Sequence, residues 1–268
     1  MNDLLIRQAL VFDGTGAEPQ LRDVAVQGGL IVPATREAKQ VIDADGLALM
    51  PGIIDSHTHF DAQITWDPML RPSPALGVTT AVIGNCGFTI SPCKPEHREI
   101  TMRNLTQVEG MSLDVLQRGI RWEFETFPEY LAQLKNNPAV LNVAAYVGHS
   151  SIRTWVMGEA ATERAATADE VNAMAQLVRE AMAAGAIGLA SSTSPAHNGE
   201  GGKPMPSRLA DDDEHLALVR AMGEGGRGIL EAFKPGTAPP DNYSVIGVAD
   251  ADAGRPPMYS PADAGGIM

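Results

Sequence analysis

Pro51-Gly52-Ile53-Ile54-Asp55-Ser56-His57-Thr58-His59 opens on a turn, runs through a short apolar segment and ends on two histidines one residue apart. Ile53-Ile54-Asp55 reads as a buried strand. Side chains at i and i+2 of an extended segment point the same way, so His57 and His59 converge. Two imidazoles at this spacing, at the C-terminal end of a strand, can share a divalent metal. The same pair could also be two polar residues on an exposed loop.

Outward from this stretch, further strands recur. Val78-Thr79-Thr80-Ala81-Val82-Ile83 reads as a second strand and Val140 to Val147 as a third. Ala186-Ile187-Gly188-Leu189 and Gly228-Ile229-Leu230 are weaker candidates for a fourth and fifth. Helical spacing lies between them. From Ala168 to Ala184, Val171, Met174, Leu177, Val178 and Met182 share one face, with Thr167 and Glu170 as a capping box and Gly185 as the stop. A second helix runs from about Asp212 to Gly223 through Leu216, Leu218, Val219 and Met222. Buried strands alternating with helices predict an α/β fold with a parallel sheet, five or six β-α units long. A closed eight-stranded barrel would need two or three more.

Residues 1–48 differ. Leu4-Leu5-Ile6, Ala9-Leu10-Val11 and Val24-Ala25-Val26 are brief apolar runs among turn signals such as Asp13-Gly14 and Gly28-Gly29, which predicts a small β module. Residues 49–235 form the β/α part. Residues 236–268 read as a weakly structured tail or a sixth unit, with Tyr243 to Val248 and Met258-Tyr259 as apolar islets.

With 268 residues, 44% of them hydrophobic, the chain can bury one large core, or one large and one small. The net charge of −13 disfavours nucleic acid and anionic membrane, which need clustered Lys and Arg. Apolar stretches fall short of the ~18 residues of a membrane span. No signal peptide is read at the start. The expected location is the cytoplasm. The two cysteines, Cys86 and Cys93, make no disulfide framework.

Gly84-Asn85-Cys86-Gly87 ends the second strand and is the second chemical signal. A cysteine there can present a thiolate to a metal held by the neighbouring histidines, or be a small buried thiol beside tight turns. Cys93 has no assigned role. His149, at the end of the third strand, points to the same rim and could bind substrate, or fix a loop by hydrogen bonds. Arg153 could pair with a substrate carboxylate, although a structural ion pair is favoured. His197 could be a lid residue, although solvated loop is favoured, and His97 and His215 read as surface. Glu231 and Lys234 close a strand, so either could face the site, although loop-end charges are favoured. The acidic run Asp211-Asp212-Asp213-Glu214 suits a helix start.

Together, Pro51 through Asp61 with Trp66-Asp67-Pro68 resembles the first barrel strand of amidohydrolase-superfamily enzymes. Gly77-Val78-Thr79-Thr80 with Gly84-Asn85-Cys86-Gly87 resembles the D-aminoacylase branch, the N-acyl-D-amino-acid deacylases, which places a cysteine where many relatives use a carboxylated lysine. Gly148-His149-Ser150-Ser151-Ile152-Arg153 and Ala184 to Leu189 continue the likeness, which extends from residue 1 to about 230. The resemblance implies an α/β protein with a (β/α)8 TIM-type barrel, here truncated after five or six units, and a small N-terminal β-sandwich module. It implies Zn2+ held by His57, His59 and Cys86, and hydrolysis of a small-molecule N-acyl amino acid or related amide by water activated on zinc. His149 and Arg153 are the substrate-binding candidates, and no catalytic residue is assigned. The family would draw further ligands from histidines after the fifth and sixth strands and its catalytic aspartate from the eighth. Here no histidine follows His215. An incomplete enzyme is therefore expected. The alternatives are an inactive fragment that binds metal or associates into homo-oligomers, and a cyclic-amide hydrolase.

Overall fold

The computed structural model describes residues 1–108, 110–233 and 258–259. The chain divides into two compact units, Met1–Ile53 and the part from Ile54 onward.

The first unit is a mixed five-stranded sheet: β1 (Asn2–Val11), β2 (Gln20–Gln27), β3 (Leu30–Val32), β4 (Ala38–Asp43) and β5 (Ala48–Leu49). Its order is β3-β2-β1-β4, with β5 also on β1. Leu4–Ile6 and Ala9–Val11, separate runs in the sequence, are one strand. A bulge between Ile6 and Ala9 joins them, Gln8 takes a φ of 58°, and its N–H donates to the Asp23 carboxylate at 2.9 Å. Gly28-Gly29 forms the two-residue β2–β3 turn with φ of 58° and 78°, a backbone that glycine adopts freely. Ala9, Val11 and Ala44 form a small core. The described residues of this unit show one sheet.

The second unit carries a six-stranded sheet whose order follows the chain: β6 (Ile53–Asp55), β7 (Val78–Ile83), β8 (Asn142–Gly148), β9 (Gly188–Ser192), β10 (Ile229–Phe233) and β11 (Met258–Tyr259). From β7 to β11 every neighbouring pair is parallel. Each strand adding to the same growing edge, with α-helices between the strands from β7 to β10, is the pattern of a half-barrel. α1 (Arg98–Val108), α2 (Leu113–Gly119) and α3 (Phe127–Asn136) link β7 to β8, α4 (His149–Met157) and α5 (Ala168–Ala184) link β8 to β9, and α6 (Asp212–Gly223) links β9 to β10. Met258-Tyr259, an apolar islet in the sequence, is β11; Tyr243 to Val248 and Lys234 lie outside the described residues.

Both sheet faces are apolar. Register aligns Val147, Leu189 and Leu230 in one row of the main core, while Val82, Tyr146 and Ala190 form a separate cluster. That two-sided burial explains the near-continuous apolar runs of β7 to β9. α5 has the capping box of Thr167 and Glu170, closes on Gly185 at φ 119°, and buries Met174, Ala175, Val178, Ala181 and Met182. Each large apolar side chain so removed from water contributes roughly 1.5–3 kcal/mol.

One expectation needs correction. Ile53 and Ile54 are 45% and 65% exposed, because β6 is the sheet's edge strand rather than a buried one. His149 stands at the end of the third strand as its first helical residue, since α4 begins directly after Gly148. Among the described residues, no helix is long and apolar enough to cross a membrane.

Candidate metal centre

Beyond Asp55 the chain leaves β6 and is pinned to the end of β7. Thr58 donates to the Val82 carbonyl through both its N–H, at 3.1 Å, and its hydroxyl, at 2.7 Å. The Asn85 side-chain amide donates to the Thr58 carbonyl at 3.1 Å and to the Val82 carbonyl at 2.9 Å. With Thr58 committed to β7, its neighbours His57 and His59 lie with ring centroids 5.2 Å apart, and Cys86 comes alongside.

The ligand atoms of His57, His59 and Cys86 all lie within 4.8 Å of one another. His57 Nε2 is 3.5 Å from Cys86 Sγ. Burial, followed by the charges of His57 and His197, lowers the His59 pKa to about 4, so its imidazole is neutral at pH 7 and has a lone pair to give. Two imidazoles and one thiol at this separation match zinc in donor type. The residues present fit the metal.

Cys86 sits in a strained turn. Its φ of 56° lies in the left-handed region that a residue with a Cβ seldom adopts. Gly84 and Gly87 flank it with φ of 87° and 75°. A Cβ on Gly84 would run into the Tyr146 carbonyl, and one on Gly87 would come within 2.8 Å of the Ala190 carbonyl. The turn is therefore wedged against β8 and β9, which aims the thiol at the histidines.

Behind the turn, Asp61 is buried, with its carboxyl accepting from Gly84 N–H at 3.1 Å, and burial raises its pKa to about 7. Tyr130 donates its hydroxyl to the Asp61 carbonyl at 2.9 Å.

Glu231 is not a loop-end charge. It lies within β10, 1% exposed and in register with Ala190. Its Oε2 accepts from Cys86 N–H at 2.8 Å, and its Oε1 lies 3.9 Å from His57 Nδ1. A carboxylate inside an otherwise apolar strand was the signal available in the sequence. His197 is not solvated loop either. Its Nδ1 bonds to Ser192 Oγ at 2.6 Å, its ring meets Phe88 edge-on at 4.8 Å, and burial lowers its pKa.

His149 and Arg153 are both completely buried and meet on a different residue, Glu214. His149 Nε2 is 2.7 Å from Glu214 Oε1, its Nδ1 is 2.9 Å from Ser191 Oγ, and Arg153 pairs with Glu214 Oε2. Arg153 also donates to the Arg164 carbonyl at 2.9 Å. Glu214 thus turns inward from the acidic run instead of only capping a helix start. His215 is drawn in as well, its ring 5.1 Å from that of His149. His97 is half-buried.

Burial pushes His149 from its usual 6.5 to about 4. Burial opposes ionisation of Glu214, but hydrogen bonds from His149 and Arg153 prevail and hold it at about 2. The unfolded chain takes up a proton at residue 149 near pH 6.5 and the folded chain only near 4, so this stability is present above 6.5 and lost as pH falls through the window. The shift corresponds to about 3 kcal/mol. His59 acts in the same direction, so the His149 share is read as a difference. Urea unfolding between pH 7 and 4 is expected to show a flatter decline in His149→Gln than in the parent chain; parallel profiles would contradict it.

Comparison with known proteins agrees with this geometry. A model of the amidohydrolase family matches residues 40–243. The chain is 40% identical over 242 residues to an N-acyl-D-aspartate deacylase of Alcaligenes xylosoxydans xylosoxydans, an alignment covering 83% of this chain and 46% of that protein. It is 36% identical to a D-aminoacylase of the same organism, over 84% of this chain and 43% of the relative. A crystal structure of N-acyl-D-glutamate deacylase from Bordetella bronchiseptica, complexed with zinc and a phosphonate mimic of the tetrahedral intermediate, superimposes with a TM-score of 0.75 at 28% identity, covering 95% of this chain and 50% of that one. A D-aminoacylase crystal structure gives 0.73 at 29% identity, over 97% and 51%. The chain spans about half the length of the curated relatives it matches. With most of its length matched by the family model and its sheet superimposing on these enzymes, the chain belongs to the amidohydrolase family.

Proposed function

We propose that this chain carries the metal-binding half of a zinc-dependent hydrolase of N-acyl-D-amino acids. The observation that carries the reading is the convergence of His57, His59 and Cys86 at the ends of β6 and β7. The likeness to two deacylases named for D-amino-acid substrates supports the substrate class.

His57 and His59 would hold the metal through neutral imidazoles, and Cys86 through its thiolate. Bound there, zinc would polarise the amide carbonyl and acidify a water molecule. The turn wedged by Gly84 and Gly87 keeps the thiol in place, and the Thr58 hydrogen bonds keep the histidine pair against β7. His197, beside the pair and backed by Phe88, would border the substrate. No residue of this chain is assigned the proton transfer to the leaving amine.

The reading extends to the scaffold. The parallel sheet would be part of a (β/α)8 barrel, with exposed Ile53 and Ile54 on β6 as a strand that closure would cover. The N-terminal sheet would be one portion of a sandwich. Leu21, Leu30 and Ile31, between 69% and 80% exposed, support a second layer upon it.

The test is binding of a phosphonate analogue of an N-acyl-D-amino acid to the zinc-loaded chain by calorimetry. Metal-dependent binding that favours the D over the L isomer by at least about tenfold, about 1.4 kcal/mol, is expected. Binding that ignores zinc or chirality would contradict the assignment.

A further inference from the structure

A histidine that ligates a metal through one ring nitrogen almost always donates its other N–H to a carboxylate, a carbonyl or water, which fixes both tautomer and ring orientation. The two nitrogens of His57 face different partners. Nε2 looks toward Cys86 Sγ at 3.5 Å, and Nδ1 toward Glu231 Oε1 at 3.9 Å. The other oxygen of the same carboxylate accepts the backbone N–H of Cys86 at 2.8 Å. One side chain on β10 therefore addresses two candidate ligands that follow β6 and β7, one through its ring and one through its backbone.

A carboxylate 1% exposed is stable inside a protein only where hydrogen bonds and opposite charge compensate its lost hydration. One hydrogen bond comes from Cys86. A cation held between His57 and Cys86 would add opposite charge, while the carboxylate would make the imidazole a better donor.

We infer that Glu231 is the positioning residue of this metal centre: it selects the Nδ1–H tautomer of His57, so that Nε2 meets the metal, and it fixes the Cys86 turn that brings the thiolate to the same point. The inference rests on His57, His59 and Cys86 binding metal. It assigns Glu231 no contact with the metal or the substrate.

The test compares Glu231→Gln and Glu231→Ala with the parent chain. Zinc affinity is measured by chelator competition, and the cobalt-loaded chain is followed through its thiolate-to-cobalt absorption. Glutamine keeps the volume, and its carbonyl oxygen can still accept the Cys86 N–H. Its amide group would face Nδ1 as a donor, favouring the tautomer whose proton sits on Nε2. The expected result is a loss of zinc affinity of about 10–100-fold in Glu231→Gln, at least as large as in Glu231→Ala. A role confined to tying β10 to the Cys86 turn gives the opposite order, with Glu231→Gln close to the parent. That order would overturn the inference.

Imidazole nitrogen chemical shifts of the zinc-loaded parent chain provide a readout that needs no variant. Nε2 of His57 bound to metal and Nδ1 protonated is expected; metal on Nδ1 would overturn the role. Absence of the thiolate-to-cobalt band in the parent chain would overturn the metal reading itself, and the role of Glu231 with it. An intact parent band with unchanged affinity in Glu231→Gln would overturn the role of Glu231 alone.

Discussion

Cys86→Ser is expected to lower the zinc affinity of the chain by at least about a hundredfold, and His57→Ala and His59→Ala by similar factors. Apparent binding free energies of zinc sites reach ~10–16 kcal/mol, so one ligand in about four carries several kcal/mol, and each 1.4 kcal/mol is tenfold. Serine preserves size but replaces a soft thiolate with a hydroxyl that stays protonated and ligates zinc poorly. The other cysteine is the internal control. Cys93 is also a buried thiol, but it lies near Thr101 Oγ1 at 3.5 Å and burial pushes its pKa up to about 11. Cys93→Ser is expected to leave zinc affinity unchanged. Chelator competition on the purified variants measures all four. Equal affinity in the parent and Cys86→Ser would remove the thiol from the site.

The second large effect concerns stability. Glu214→Ala is expected to reduce the free energy of unfolding by about 3–5 kcal/mol, because it leaves the Arg153 guanidinium buried without its counter-charge and deprives His149 of its carboxylate. Arg153 is completely inside the protein, so no water takes the place of the lost partner. A pair of similar geometry at the surface behaves differently. Arg179 and Glu224 meet at 2.7 Å with their side chains about half exposed, where solvent screening leaves an ion pair little net worth. Glu224→Ala is therefore expected to leave stability close to that of the parent chain. Urea unfolding of both variants checks the contrast, and equal losses would show that the Glu214 cluster is not the buried network described.

What the sequence made legible follows from the range of the physics involved. α5 could be bounded to the residue because Thr167, Glu170 and Gly185 are local signals that act within one turn of the helix. α3 carries the same kind of capping box at Thr126 and Glu129, an equally local signal. The histidine pair was legible because i and i+2 share a direction, and Cys86 because glycines mark a turn at a strand end. Glu231 was legible as a carboxylate closing an apolar strand, but neither its partners nor those of Glu214 were. Their partners lie 145 and 61–65 residues away, and no local pattern encodes such a meeting. The exposed state of β6 was hidden for a related reason: Ile53-Ile54 has the composition of a buried strand, and only the sheet order places it at an edge. The β1 bulge shows the converse, a local irregularity at Gln8 that periodicity alone reads as a break between two strands.

The most direct measurement is X-ray absorption at the zinc edge on the zinc-loaded chain. A centre built by His57, His59 and Cys86 gives one sulfur scatterer at about 2.3 Å and nitrogen or oxygen scatterers at about 2.0–2.1 Å, with the multiple scattering of imidazole rings. A first shell without sulfur, or without imidazole, would contradict the assignment of these three residues to one metal.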